Sequence, residues 1–193
     1  AKAIIQPVVR PMEPVNAEFR PVETPVQKPA GRPVKLEVVN VEVRARELLS
    51  KGEFKGAESL LREALKHLDP AQGGELRTRL ILRRELSEAL RFQNQLTEAE
   101  AELRSLLELC YRELGKDDPD TLTTHCYHAT VLTRQGRNEE ALKEYRLVLD
   151  GARRIGREEE ASTLGIMKNI GETYKDIRRL REAESMLSSA LLL

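Results

Sequence analysis

The sequence predicts an all-α protein, a right-handed solenoid of four helical hairpins preceded by an extended Pro/Val-rich N-terminal segment. Three observations carry this. The first is a 42-residue step between small residues: Ala57, Ala99, Ala141 and Ala183 recur at that spacing. Twelve residues before each stands another small side chain, Ala45, Ser87, Ala129 and Gly171. The second is a set of large residues in the same phase. Leu48, Leu90, Leu132 and Tyr174 lie nine residues before the alanines, and Leu65, Leu107, Leu149 and Leu191 eight after them. The third is the turn between each pair of stripes, at Gly52, Asn94, Gly136 and Arg178. A fixed period in this range is the mark of stacked hairpins, each buried only by its neighbours. The paired small residues mark where two helix axes come close.

Residues 1–35 differ in kind. Seven of the nine prolines lie there, Pro7, Pro11, Pro14, Pro21, Pro25, Pro29 and Pro33. Proline removes a backbone donor and drives the preceding residue to extended geometry, so the expected state is an extended or polyproline ribbon. Val8, Val9, Val15, Val22 and Val26 interleave with the prolines, and Arg-Pro recurs at Arg10, Arg20 and Arg32. A plain linker has no physical reason to keep so much apolar surface. The segment is expected to dock on a partner or along its own solenoid, with Arg10, Phe19, Arg20 and Arg32 as candidate contacts.

The solenoid is expected over residues 36–193, with repeats at about 38–74, 76–114, 118–156 and 158–193. Helix begins near Val38, and the β-branched run before Arg44 delays a firm helical pattern. Gly52 marks the first turn. Ala57, Leu60, Leu61, Ala64, Leu65 and Leu68 then form one apolar side at helical spacing. Asp69-Pro70 and Gly73-Gly74 break the chain. The second hairpin turns at Gln93-Asn94. The third opens on Asp118-Pro119, a capped start in which proline occupies a position whose N–H needs no helical partner. Leu122, Ala129 and Leu132 form its first stripe, and Ala141, Tyr145, Val148 and Leu149 its second. The fourth turns between Asp176 and Arg179. Leu191, Leu192 and Leu193 leave apolar surface with no following helix, which predicts a longer natural chain or self-association at that end.

Composition narrows the function. The 193 residues carry 32 basic and 32 acidic side chains, a formal net charge of zero, and so lack the basic excess of a nucleic-acid binder. No apolar run reaches eighteen residues, so no helical membrane span is expected. The opening AKAIIQPVVRP has no apolar core of a secretory signal. Two cysteines, Cys110 and Cys126, are too few for a disulfide framework and read as reduced thiols of a cytoplasmic protein.

The pairing of Ala129 with Ala141 around Leu132 and Gly136 resembles the tetratricopeptide repeat (TPR). The usual period there is 34. Eight further residues add roughly 12 Å of helix per repeat. That longer period, with LGKDDPDTL leading into a hairpin that ends GRNEEALKEYRLVL, resembles the kinesin light chain type. His128 and Arg44 stand where that family carries an apolar residue. The resemblance covers about Leu36 to Leu191. It implies a concave wall lined by the first helix of each hairpin, and carrying the register across gives its candidates. They are Glu42, Arg46 and Leu49 in the first repeat and Arg84, Glu88 and Arg91 in the second. The third contributes Cys126, Thr130 and Thr133, the fourth Lys168, Asn169, Glu172 and Lys175. Asn169 keeps the groove asparagine of kinesin light chain repeats, whereas Glu42 and Arg46 replace residues of the chaperone-type carboxylate clamp. The mixed charge suits a protein or peptide surface.

No catalytic constellation is visible. His125-Cys126-Tyr127-His128 is the one cluster that suggests a metal or nucleophile. Zinc needs converging ligands, and neither a CxxC nor an orienting acid accompanies these residues. Helical packing is the better explanation. No Gly-rich phosphate loop, cofactor motif or metal set is present. The expected function is that of a non-enzymatic adaptor without cofactor. For this the kinesin light chain resemblance implies a bacterial tubulin-type cytoskeletal filament as partner. The alternative is a regulatory domain that captures a short peptide in its groove, with the N-terminal segment as a strap.

Overall fold

The computed structural model describes residues 34–68, 76–157 and 161–191, with backbone alone at 34–39, 161–162 and 190–191. All regular structure among them is helical: α1 (Val34–Ser50), α2 (Phe54–Lys66), α3 (Leu76–Phe92), α4 (Leu96–Glu113), α5 (Pro119–Arg134), α6 (Asn138–Arg154), α7 (Ala161–Asp176) and α8 (Leu180–Leu191). Each odd-numbered helix pairs with the next even one, and each hairpin packs on its successor, forming a solenoid. Along the inner row α1 packs on α3 and α3 on α5. The next pair in that row, α5 and α7, makes at most marginal contact and is bridged by α6.

The turns are built alike four times. Gly52, Asn94, Gly136 and Arg178 all take left-handed backbone, with φ of 77°, 62°, 78° and 59°. At each, two N–H groups return to the helix just ended: Gly52 to Leu49 and Glu53 to Leu48, then Asn94 to Arg91 and Gln95 to Leu90. Gly136 to Thr133 with Arg137 to Leu132, and Arg178 to Lys175 with Arg179 to Tyr174, complete the series. This double bond satisfies the last orphan carbonyls of the first helix and reverses the chain in three residues. Asp118 caps α5 by accepting the Asp120 N–H at 2.8 Å, with Pro119 at the first helical position.

The periodic alanines are the inner seam. Ala45, Ala57, Ala99, Ala129 and Ala141 are 0% exposed and Ala183 is 2%. At Gly171 even a methyl would be too large: a Cβ there would lie 2.7 Å from Leu187 Cγ. Around the seam run Leu61, Leu82, Leu90 and Leu103 in the first half, and Leu122, Leu132, Tyr145 and Ile170 in the second. Between hairpins the period also fixes polar contacts. Gln93 donates to Glu58 at 2.8 Å, and 42 residues on Gln135 donates to Glu100 at 2.9 Å. At the third junction these positions hold Ile177 and Leu142, which join the apolar cluster instead.

One boundary differs from expectation. Helix α1 begins at Val34, ahead of Val38 and inside the 1–35 segment, and runs straight through the β-branched stretch. Such residues cost a helix only a few tenths of a kcal/mol each. Val41 and Ala45 recover this by packing into the first core cluster. The expected ribbon at residues 1–33, with Arg10, Phe19, Arg20 and Arg32, lies outside the described residues. So do the side chains of Leu191, Leu192 and Leu193.

Candidate functional site

The inner row of helices divides into a closed half and an open half. In the closed half the predicted groove residues satisfy one another. Arg46 pairs with Glu42 on its own helix and with Glu85 on α3, both at 2.9 Å. Glu85 is deeply buried, and that burial pushes its carboxyl above the ordinary range although Arg46 opposes the shift. Glu88 and Arg91 form a two-pronged pair at 2.8 and 2.5 Å. The Arg91 guanidinium also lies 4.2 Å from the centre of the Phe92 ring, which stacks on Phe54. Arg84 is 7% exposed and reaches across to the start of α5, donating to the Asp120 carboxylate at 2.9 Å and its carbonyl at 3.2 Å. Arg84 and Arg91 are therefore buried braces between and along helices, not open contacts on a wall. Leu49 is half-buried.

The open half lies where α5 and α7 part. A cleft of about 190 Å³ sits there, bounded by Thr130, Thr133 and Arg134 from α5, Tyr145 from α6, and Asn169, Glu172, Thr173, Lys175 and Asp176 from α7. Five of the predicted residues, Thr130, Thr133, Asn169, Glu172 and Lys175, are thus brought together, and Lys168 stands exposed beside Asn169. The threonines turn their hydroxyls inward on their own helix: Thr130 donates to the Cys126 carbonyl at 2.9 Å and Thr133 to that of Ala129 at 3.0 Å. Tyr145 Oη lies 3.3 Å from Thr130 Oγ1, and burial pushes the Tyr145 phenol up to about 12. Asn169 is 5% exposed, and its side-chain amide makes no hydrogen bond within the described residues. An amide in that condition on the cleft lining has donors and an acceptor to offer a ligand. Arg134 on α5 and Glu172, Lys175 and Asp176 on α7 line the opening, so the rim carries both signs. Cys126 lies beneath, and burial alone pushes its thiol up to about 12, which makes it inert.

Tyr145, Thr173, Arg134 and Asp176 were not among the predicted residues. The repeat register contained a signal for two of them, because Asp176 stands 42 residues after Arg134 and both precede a turn. Tyr145 gave none, since its spacing in α6 is that of an ordinary core residue. The histidine cluster also differs from expectation. Helical packing does hold it, but the sequence concealed an orienting acid: Glu144 on α6 contacts His125 Nδ1 and lies 3.2 Å from His128 Nδ1. Burial alone would raise the Glu144 carboxyl. The hydrogen bond to His125 and the proximity of the His128 ring outweigh it and hold the group at about 2.

Helical hairpins stacked through paired small residues, with a polar cleft on the inner row, define a repeat scaffold of the protein-binding kind. The chain belongs to the tetratricopeptide repeat family, whose model matches residues 77–154 and again 120–191. Solved structures similar to it are of the kinesin light chain type. BtubC (BKLC) from P. vanneervenii superposes with a TM-score of 0.70 at 21% identity, over 82% of this chain and 63% of that one. A protein described as a kinesin light chain with nearly identical TPR-like repeats, from Podosopora anserina, gives 0.69 at 21% identity, over 84% and 76%. The chain thus spans less than two thirds of BtubC. At this identity the likeness is one of fold. No curated protein matches the sequence. Among the described residues no helix is long and apolar enough to cross a membrane.

Proposed function

We propose that the protein is a non-enzymatic, cytoplasmic adaptor that captures an extended segment of a partner protein in the cleft between α5 and α7. The observation that carries this reading is Asn169, whose side-chain amide has no hydrogen-bond partner among the described residues and which lines the cleft where α5 and α7 stand apart. An extended peptide backbone presents alternating N–H and C=O groups, which a single carboxamide pairs with as donor and acceptor. Lys168, Lys175 and Arg134 add cationic contacts, and Glu172 and Asp176 anionic ones. The closed half of the groove contributes shape and rigidity, because Arg84, Glu88 and Arg91 are already engaged. The N-terminal residues Arg10, Phe19, Arg20 and Arg32 form a second contact or strap, which raises affinity through effective concentration.

The test is a peptide display selection on the full chain, repeated with Asn169→Ala and with the pair Lys168→Glu and Lys175→Glu. Peptides enriched by the parent protein are lost from both variants if the cleft binds them. Equal enrichment across all three proteins refutes the reading. A second reading, a bacterial tubulin-type filament bound laterally, is favoured by the fold likeness to BtubC. In that case co-pelleting with such filaments survives the lysine substitutions and is lost on removal of residues 1–33.

A further inference from the structure

The 42-residue register sets the same two facing positions in every hairpin, one on each helix, nineteen residues apart. They hold Val41 and Leu60 in the first hairpin, Arg83 and Glu102 in the second, His125 and Glu144 in the third, and Met167 and Met186 in the fourth. One turn further along the first helix the series is Arg44, Leu86, His128 and Ile170. The position therefore accepts an apolar pair. It also accepts a permanently charged pair, as Arg83 shows by donating to Glu102 at 2.9 and 3.0 Å. Only the third hairpin puts an imidazole at both of the first-helix places, and it buries them: His125 is 5% and His128 6% exposed.

The wiring of that cluster is lopsided. His125 is held at both ring nitrogens, by Glu144 at Nδ1 and by Tyr111 Oη at 2.7 Å on Nε2, so it ties α4, α5 and α6 together. His128 Nδ1 lies 3.2 Å from Glu144 Oε1, but too obliquely for a hydrogen bond, and its buried Nε2 has no partner at all. The charged and titratable groups that neighbouring elements bring to these helices are committed elsewhere. On α3, Arg84 is bound to Asp120, Glu85 to Arg46 and Glu88 to Arg91. From α4 come Tyr111 and the buried Cys110, whose thiol bonds Thr124. Across α7, Tyr174 accepts a bond from Arg146. One carboxylate thus serves two buried imidazoles, with only the Tyr111 hydroxyl beside it.

The geometry points to a proton-operated lock on the third hairpin, in which Glu144, His125 and His128 together hold one proton and are forced apart by a second. With neither imidazole protonated the cluster carries one buried negative charge. A first proton makes it neutral and gives Glu144 a charged partner. A second leaves a net positive charge buried, with unmade donors on His128, which is among the costliest arrangements a protein interior can hold. The unfolded chain takes up both protons freely near pH 6.5. On the acid side it therefore binds more protons than the folded chain, and stability falls as pH falls. The lock shares its helices with the cleft. Glu144 adjoins Tyr145, and Thr130 follows His128 by two residues. On the peptide-capture reading above, on which this clause alone rests, acidification releases the bound segment.

The experiment measures the thermal midpoint of the full chain from pH 8 to pH 5, with imidazole proton resonances followed in parallel. H125R/H128L installs the second hairpin's solution, and H125M/H128I/E144M that of the fourth. The parent is expected to be most stable near neutrality and to lose roughly 5 °C or more by pH 5, from burial of an uncompensated charge. Both variants lose less than half of that. In the parent the His125 and His128 resonances are expected to move together with the loss of midpoint. Parallel loss in all three proteins, or His125 and His128 resonances that move independently of the midpoint, overturns the lock. Should one variant fail to fold, the other and the imidazole titration decide. If peptides fail to bind at any pH while the midpoint behaves as stated, the capture reading fails and the lock stands.

Discussion

Arg178 holds a backbone conformation that two of its three counterparts assign to glycine. Its φ is 59°, beside 77° at Gly52 and 78° at Gly136. For an L residue the left-handed region brings Cβ against the following carbonyl and costs about 1–2 kcal/mol. Arg178→Gly removes that clash. It also widens the conformational freedom of the unfolded chain, which offsets about 0.5–1 kcal/mol of the gain. The Arg178 side chain is exposed and makes no hydrogen bond or ion pair within the described residues, so nothing else is lost. The net expectation is stabilisation by about 0.5–1 kcal/mol, or a rise of ~1–4 °C in the thermal midpoint for a chain of this length. Circular dichroism melts of Arg178→Gly and Arg178→Ala read it directly, since alanine keeps the Cβ and gains nothing. The converse change, Gly136→Ala, is expected to lose ~1–2 kcal/mol, because the φ of 78° is then forced on a residue with a Cβ. A glycine variant that melts with or below the parent, while Gly136→Ala is silent, would refute the account of the turns.

Three other perturbations test the packing and the charges. Gly171→Val places carbon where Leu187 Cγ already lies 2.7 Å from an added Cβ, and is expected to cost at least ~1–3 kcal/mol in urea unfolding. Arg84→Ala strands part of the Asp120 charge at the start of α5. A loss near 3 kcal/mol is expected by denaturant titration, softened because Arg77 also contacts Asp120. Glu144 has its folded carboxyl held at about 2, below its unfolded value. Its contribution is therefore fully present above about pH 4.5 and is lost as pH falls toward 2. Acid unfolding of Glu144→Gln should be less steep than that of the parent across this window, and coincident curves would contradict it.

The repeating parts of this molecule were legible because they are set by backbone geometry and excluded volume. Gly52 and Gly136 declare a left-handed turn by lacking a side chain, and the register then extends the same turn to Asn94 and Arg178. The alanines likewise declare close approach, which their burial confirms. What escaped was set by pairing across helices. Nothing local to Arg84 says that Asp120, 36 residues later, removes it from the groove. Nothing beside His125 names Glu144 as its partner. Asn169, Glu172 and Lys175 fall on the lining of the cleft. That α5 and α7 separate there, while α1, α3 and α5 do not, is a property of packing that no single residue spells out. The early start of α1 was hidden for a related reason: Val41 is a poor helix former locally and a good one once packed.

The bond from Gln93 to Glu58 and the bond from Gln135 to Glu100 are the same fastening, displaced by one unit. The seams on either side of the second hairpin are consequently interchangeable. A cassette of that length, copied in tandem at either seam, meets on both flanks a surface it already fits. The seam before the last hairpin, where Leu142 and Ile177 stand, accepts no such copy without re-tailoring. The molecule can therefore be lengthened near its front and resists lengthening at its back.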